Sequence, residues 1–236
     1  MLFRSVVDAG EGLTAPQGRA VNSWSALVLA AGGSCRFGTH KLLADFAGEP
    51  VLRRTADAIC AVGFRETIIV TGAQDDAVRA TLAGLPCKLV HAPNWAEGVS
   101  ASIRVGIEAL QHERQGLFLF LGDMPLVPAG LCEELADLAK SVGYAARPLC
   151  GDVPGHPVAF VNEAVGDLMA LTGDAGAGSL LRGAGAKIGY LPTGDEGAVL
   201  DVDTPADLAR AERLWKSRFN SDMMDNAMSR GDLPRP

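Results

Sequence analysis

Aromatic side chains make up only 6% of this 236-residue chain, and it has five cysteines. None of its apolar runs approaches the roughly 20 residues needed to cross a bilayer. The cysteines (Cys35, Cys60, Cys87, Cys132 and Cys150) are odd in number and nowhere spaced CxxC. That excludes a zinc knuckle and argues against a disulfide framework. Positive charge is also scarce. Its 21 Lys and Arg face 28 Asp and Glu, a formal charge of -7, and such a surface repels long polyanions. Neither nucleic acid nor a membrane is therefore an expected partner, although a small anion can still enter a locally basic cleft. The first twenty residues lack the continuous apolar segment of a signal peptide, and the expectation is a soluble, unprocessed, cytoplasmic protein. Gly 28 and Pro 13 fall well short of the roughly 25–30% typical of low-complexity chains.

With 48% hydrophobic residues, the chain is long enough to bury a core as one large domain. Residues 1–23 show no sustained period and read as a flexible extension, with residues 2–7 as a stray strand. The domain proper is expected over 24–218, followed by a polar, frayed tail over 219–236. Residues 25–31 are a short apolar run ending in Gly32-Gly33, the pattern of a strand buried on both faces. Pro50 suits the first turn of a helix that ends at Gly63. Strands at 67–70, 87–91 and 117–121 alternate with helices at 75–83, 98–111 and 128–142. Repeated strand, helix, strand predicts right-handed crossovers and a mainly parallel, three-layer α/β sheet. After Tyr144 the texture changes to two short strands around a Gly/Pro turn, a small mixed or antiparallel insertion, followed by helical pieces at 162–171 and 179–182. Late strands are expected at 187–191 and 198–201. A closing helix over 205–215 would have Thr204 as N-cap and Asp207 in its first turn.

Ligands bind parallel sheets at the carboxyl ends of the strands. After the first strand, Gly32-Gly33-Ser34-Cys35-Arg36-Phe37-Gly38-Thr39-His40-Lys41 combines exposed backbone N–H groups, a hydroxyl and two permanent cations, the chemistry of a polyphosphate cradle. It matches neither the Walker A loop nor the GxGxxG fingerprint, and a bare Gly-Gly would be an ordinary turn; Arg36 and Lys41 tip the balance. Asp123, after the 117–121 strand, can project into the crevice and hold Mg²⁺, a hard cation that prefers oxygen ligands, or it can cap a turn. Asp201 or Asp203 could complete such a site. His156, in Gly155-His156-Pro157, is as a lone histidine more often a turn residue than a catalyst. Residues 173–178 read as an anion-facing loop or a plain connection. No HExxH and no Ser-His-Asp arrangement is legible.

Together these residues resemble a known family. LAAGGSCRFGTHKLL at 29–43 is similar to the LAAGxSxRMGxxKLL signature of nucleotidyltransferases built like the molybdenum cofactor guanylyl- and cytidylyltransferases, the MobA-like family. Phe37 replaces the usual Met. The resemblance continues through VTGA, APNWAEGVSASIRVGI, GDMP, GHPV, GDAGAGSLL and DVDTPADL, and is greatest to the molybdopterin cytidylyltransferase branch. It implies a Rossmann-like sheet of the nucleotide-diphospho-sugar transferase type. By the same resemblance, Leu29, Ala30, Ala31, Gly32, Gly33 and Ser34 frame the nucleotide, with Arg36 and Lys41 on its phosphates. Thr71, Gly72, Asn94, Gly98 and Ser102 lie around base and ribose. Asp123 and Asp203 bind Mg²⁺, and His156 and Asp174 face the acceptor.

The implied reaction is transfer of CMP from CTP to the terminal phosphate of molybdopterin, releasing pyrophosphate, with a molybdoenzyme or chaperone as the onward partner. An acceptor phosphate with a second pKa of about 6 needs no general base near neutral pH. Competing expectations are GTP or a sugar or alcohol phosphate in the same reaction, an NADPH-dependent reductase on the same scaffold, and a non-catalytic cofactor chaperone.

Overall fold

The computed structural model describes residues 20–33, 37 and 40–230. The strand expected at 2–7 and the loop residues Ser34, Cys35, Arg36, Gly38 and Thr39 lie outside the described residues. A 3-10 turn at Ala20–Ser23 enters β1 (Trp24–Ala30). After the glycine loop come a 3-10 turn at Lys41–Leu43 and a hairpin of β2 (Asp45–Phe46) and β3 (Glu49–Pro50). Then follow α1 (Val51–Cys60), β4 (Glu66–Thr71), α2 (Asp75–Thr81), β5 (Lys88–His91), α3 (Val99–Glu108), β6 (Gly116–Leu121) and α4 (Cys132–Val142). The last part holds β7 (Ala145–Cys150), β8 (Val153–Pro154), β9 (Val158–Val161), α5 (Val165–Met169), α6 (Ala177–Ala184), β10 (Ile188–Thr193) and α7 (Pro205–Arg230).

One sheet carries the strand order β10-β7-β9-β6-β1-β4-β5, with β8 attached to β7. β1 pairs in parallel with both β4 and β6, and β5 extends that set. β9 runs antiparallel to both β6 and β7, and β10 is parallel to β7. The mixed insertion expected after Tyr144 is therefore two reversed strands in an otherwise parallel sheet, β9 wedged between β6 and β7 and the short β8 antiparallel to β7, with helices flanking the sheet. β1 is central because its residues are apolar in both alternating sets: Ala26, Leu27 and Val28 have no exposed surface. Full burial of a side chain such as Leu27 or Val28 is worth roughly 1.5–3 kcal/mol. Val21 is equally buried, so packing begins just ahead of β1.

Two expectations differ from the structure. Residues 198–201 form no strand. A 3-10 turn at Glu196–Ala198 precedes them, and Leu200 and Val202 are buried instead in a second apolar cluster with Phe46, Val51, Leu126 and Ala211. Their apolar character is used in plugging that cluster rather than in pairing. The closing helix also continues past Trp215 to Arg230, because no Gly or Pro interrupts the chain before Gly231. Its N-terminal cap forms as expected: Thr204 N and Oγ1 donate to Asp207 Oδ2 (2.9 and 2.7 Å), and Asp207 N donates to Thr204 Oγ1 at 3.3 Å. The second cluster matters for function because it ties α7 and the segment before it to the loop after β6.

Candidate active site

The carboxyl ends of β1 and β6 open on a cavity of about 350 Å³, a size usual for small-molecule sites. Leu29 and Leu121 are register partners on the two strands and both line it, with Ala30, Ala31, Gly32 and Gly33 continuing the wall from β1. The opposite wall is the N-terminus of α3, represented by Gly98, Val99 and Ser102, with Trp95, Ala96 and Asp174 beside it. A helix N-terminus presents unpaired N–H groups and a positive dipole end. Small residues on one wall and a helix start on the other suit an extended anion.

Three charged side chains meet at the rim. Lys41 Nζ donates to Asp123 Oδ2 at 2.6 Å and to Asp203 Oδ1 at 2.5 Å. The side chains of Lys41 and Asp123 are each 17% exposed and that of Asp203 39%, so the Lys41–Asp123 contact is little screened by water. Burial alone would pull the Lys41 pKa down; the charges and hydrogen bonds of Asp123 and Asp203 outweigh it and raise the pKa above the ordinary value. The backbone places these groups together. Val202 N donates to Asp123 O at 3.0 Å, docking the 201–203 segment on the loop after β6. Asp203 thus shares Lys41 with Asp123. Asp201 is exposed, and its pKa is raised, chiefly by desolvation and then by the charges of Asp123 and Asp203.

Several expected positions take other tasks. Thr71 is fully buried, and its hydroxyl donates to Asp75 at the start of α2, so no side-chain group of Thr71 is offered to the cleft. Gly72 allows a close approach: a Cβ there would lie 2.5 Å from Ala31 O and 2.7 Å from Trp95 Cγ. Its role is to seat the Trp95 ring rather than to line the cavity. Asn94 is exposed and stands before the 3-10 turn Trp95–Glu97, outside the lining. Arg36 and Ser34 fall outside the described residues. Leu29, Ala30, Ala31, Gly32, Gly33, Lys41, Gly98, Ser102, Asp123 and Asp174 do converge on one cavity. Sequence reasoning gave Trp95 no role, although it lies inside the APNWAEGVSASIRVGI motif, four residues after the end of β5 at His91, in a chain poor in aromatics.

His156 does not line this cavity. Its backbone N donates to Ala198 O at 2.7 Å, and its Nδ1 is buried without a hydrogen-bond partner. Burial foremost, with the neighbouring Arg147 charge adding and a hydrogen bond to the Leu119 backbone opposing, pushes its pKa down to about 4. Below pH 6.5 the unfolded chain takes up a proton that the folded chain refuses until about pH 4. His156 therefore contributes an acid-side loss of stability between about pH 6.5 and pH 4, and nothing above that window. The expected result is a His156 ring signal in proton NMR that titrates near pH 4, identified by its loss in His156→Gln. Titration near 6.5 would show the ring to be solvated.

A family model for the MobA-like NTP transferase domain matches residues 26–188. The chain belongs to this family. It is accordingly a member of a nucleotidyltransferase family, with the three-layer α/β fold described above. A GlmU bifunctional protein of Rhizorhabdus wittichii is 29% identical over 139 residues, 58% of this chain, which spans only 30% of that protein's length. Nicotine blue oxidoreductase of Paenarthrobacter nicotinovorans is 28% identical over 198 residues, 78% of this chain and 94% of its own. Molybdenum cofactor cytidylyltransferase of Escherichia coli is 27% identical over 136 residues, 56% of this chain and 67% of its own. Among solved structures, Rv0371c of Mycobacterium tuberculosis superposes with a TM-score of 0.71 at 30% identity, covering 82% of this chain and all of that one. The same protein has been solved in complex with manganese.

MobA-like enzymes pair a nucleotide with a divalent cation, and the residues here fit one. Asp123 and Asp203 offer hard carboxylate oxygens close enough to share a single cation, and Asp123 Oδ1 is buried with no partner. Among the described residues, no group of three or more His, Cys, Asp or Glu is arranged to hold a metal. A site of two carboxylates relies on substrate phosphates and water for its remaining ligands, the usual habit of Mg²⁺. Among the described residues no helix is long and apolar enough to cross a membrane.

Proposed function

We propose that this MobA-like nucleotidyltransferase transfers CMP from CTP to the terminal phosphate of a molybdopterin-type acceptor, releasing pyrophosphate, with Mg²⁺ on Asp123 and Asp203. The observation that carries the reaction class is the meeting of Lys41, Asp123 and Asp203 at the rim of a cavity walled by the β1 loop and the N-terminus of α3. CTP and the acceptor rest on the motif resemblance and on the cytidylyltransferase relative. Leu29 to Gly33 bring backbone close to the nucleotide. Lys41 and the α3 N-terminus neutralise the phosphate chain, and Asp174, which lines the same cavity, is assigned to the acceptor by the motif resemblance. When bound, Mg²⁺ supplies Lewis-acid stabilisation of the phosphoryl oxygens. The acceptor phosphate, a dianion near neutral pH, attacks the α-phosphorus in line without a protein base. His156 does not line this cavity, and its acceptor-facing role rests on the motif resemblance alone.

A redox reading is favoured by one observation, the near-complete coverage of the nicotine blue oxidoreductase relative. Pyrophosphate release with molybdopterin, Mg²⁺ and either CTP or GTP tests the base and the acceptor; turnover with GTP but not CTP overturns the cytidylyl assignment. Intrinsic fluorescence tests the class. Trp95 borders the cavity, Trp24 is fully buried, and Trp215 belongs to the second cluster. CTP with Mg²⁺ is expected to change the emission of the wild-type chain and not that of Trp95→Phe. A response and thermal stabilisation with NADPH alone would transfer the chain to the redox reading.

A further inference from the structure

Lys41 does more than stand near the two carboxylates. Its Nζ lies between them, 2.6 Å from Asp123 Oδ2 and 2.5 Å from Asp203 Oδ1. The other oxygen of Asp123, Oδ1, is buried, so Oδ2 is the oxygen of Asp123 that faces the rim. A divalent cation bonded to Asp123 Oδ2 and Asp203 Oδ1 would stand where the ammonium stands, and two cations cannot share a position that water screens so little. The neighbouring backbone is anchored, since Leu42 is 3% exposed in the main core. The flexible four-carbon stem of Lys41 is thus the part able to move.

We propose that Lys41 is a built-in counter-cation that keeps metal off Asp123 and Asp203 until a nucleotide arrives. This rests on the reading that the cleft takes a nucleotide–metal complex at those carboxylates. The triphosphate offers the ammonium a denser negative charge than two carboxylates do. Lys41 then transfers to the phosphates as the metal, already held by them, takes its place. The exchange swaps one cation for another, and no proton is gained or lost. Metal and nucleotide binding are then positively coupled, and the coupling is reciprocal. Metal alone meets an occupied site, which also keeps a loaded but empty enzyme from forming.

Mn²⁺ is the probe, because free Mn²⁺ is counted directly by electron paramagnetic resonance on the full chain without nucleotide. The wild-type chain is expected to show no saturable site at micromolar Mn²⁺. Lys41→Met is expected to bind Mn²⁺ about tenfold or more tightly than wild type, and adding Asp203→Asn to it removes the gain. If Lys41→Met loses its melting transition, Lys41→Gln, whose amide can still donate to one carboxylate, is measured in its place. Tight Mn²⁺ binding by the wild type, abolished by Asp203→Asn, overturns the proposal. A folded Lys41 variant that gains no affinity overturns it too, since lysine would not be what excludes the metal. The two readings fail separately. Nucleotide turnover beside tight metal binding by the wild type defeats only the counter-cation. A Mn²⁺ gain in Lys41→Met beside a wild-type chain that turns over no nucleotide defeats only the transferase chemistry proposed above.

Discussion

Replacing Asp123 by Asn is expected to lower kcat for nucleotidyl transfer by about 10²-fold or more, the scale of losing one positioned electrostatic contact to a developing charge, while leaving the fold in place. The carboxamide keeps the shape of the side chain. Lys41 keeps Asp203 at 2.5 Å, so the ammonium is not stranded, and Val202 N still donates to the Asp123 backbone O. The stability loss should be about 1 kcal/mol, which in a chain of this size moves the melting temperature by about 2–4 °C. Steady-state pyrophosphate release beside a thermal melt separates the two effects. Retained pyrophosphate release in Asp123→Asn would remove the metal-binding role argued for this residue, whereas a wild-type chain that releases no pyrophosphate with any nucleotide would favour a non-catalytic cofactor chaperone.

Gly98→Ala is expected to unsettle both sides of the cavity at once. Gly98 stands just before α3 at φ 121, in the left-handed half of backbone space where a side chain is strained. A Cβ there would lie 2.4 Å from the backbone C and O of Gly173 and 2.7 Å from Asp174 N. These atoms are backbone and cannot rotate away. Ser100 N also donates to Gly173 O at 3.2 Å, so the 173–174 loop is tied to the first turn of α3. An alanine must push that loop off the helix or shift the helix start, and Asp174, Val99 and Ser102 all line the cavity. Strain plus overpacking amounts to about 2–5 kcal/mol, a melting-temperature drop of order 10 °C. The nucleotide KM should rise more than kcat falls. Gly130→Ala is the control: no atom lies within 4 Å of a Cβ there, and its effect should stay within about 0.5 kcal/mol. Equal melting temperatures for the two variants would mean that the 173–174 loop yields freely.

Much of the molecule was legible because local signals and global fold agree. Residues 25–31 and 117–121 are apolar in both alternating sets, which is the mark of central parallel strands, and the structure pairs them directly. Thr204 and Asp207 form the cap that their spacing predicted. The expected strand at 198–201 did not form. Leu200 and Val202 are as apolar as strand residues, and a short apolar run does not say whether it will pair with a strand or plug a cluster. Only the contacts with Phe46 and Ala211 distinguish the two. Thr71 is a related case, since the motif resemblance set it beside base and ribose without saying where its hydroxyl would go. A threonine at a strand end offers a hydroxyl to solvent or to its own chain, and Asp75, four residues on, takes it.

By itself the sequence determined the fold class, the position of the glycine loop after the first strand, and the presence of cations and carboxylates at strand ends. These follow from periodicity and residue type, which are local properties. The tertiary structure decided which of those groups meet. Lys41 and Asp203 are separated by 162 positions, and nothing local says that one ammonium will bridge Asp203 and Asp123. That contact depends on Val202 docking on the loop after β6 and on the second apolar cluster beneath it. The same holds for the choice of Asp203 over Asp201 beside Lys41 and for Trp95 at the cavity wall. A negative net charge revealed nothing of this arrangement, because composition averages over a surface, whereas chemistry depends on the few charges that packing forces within bonding distance.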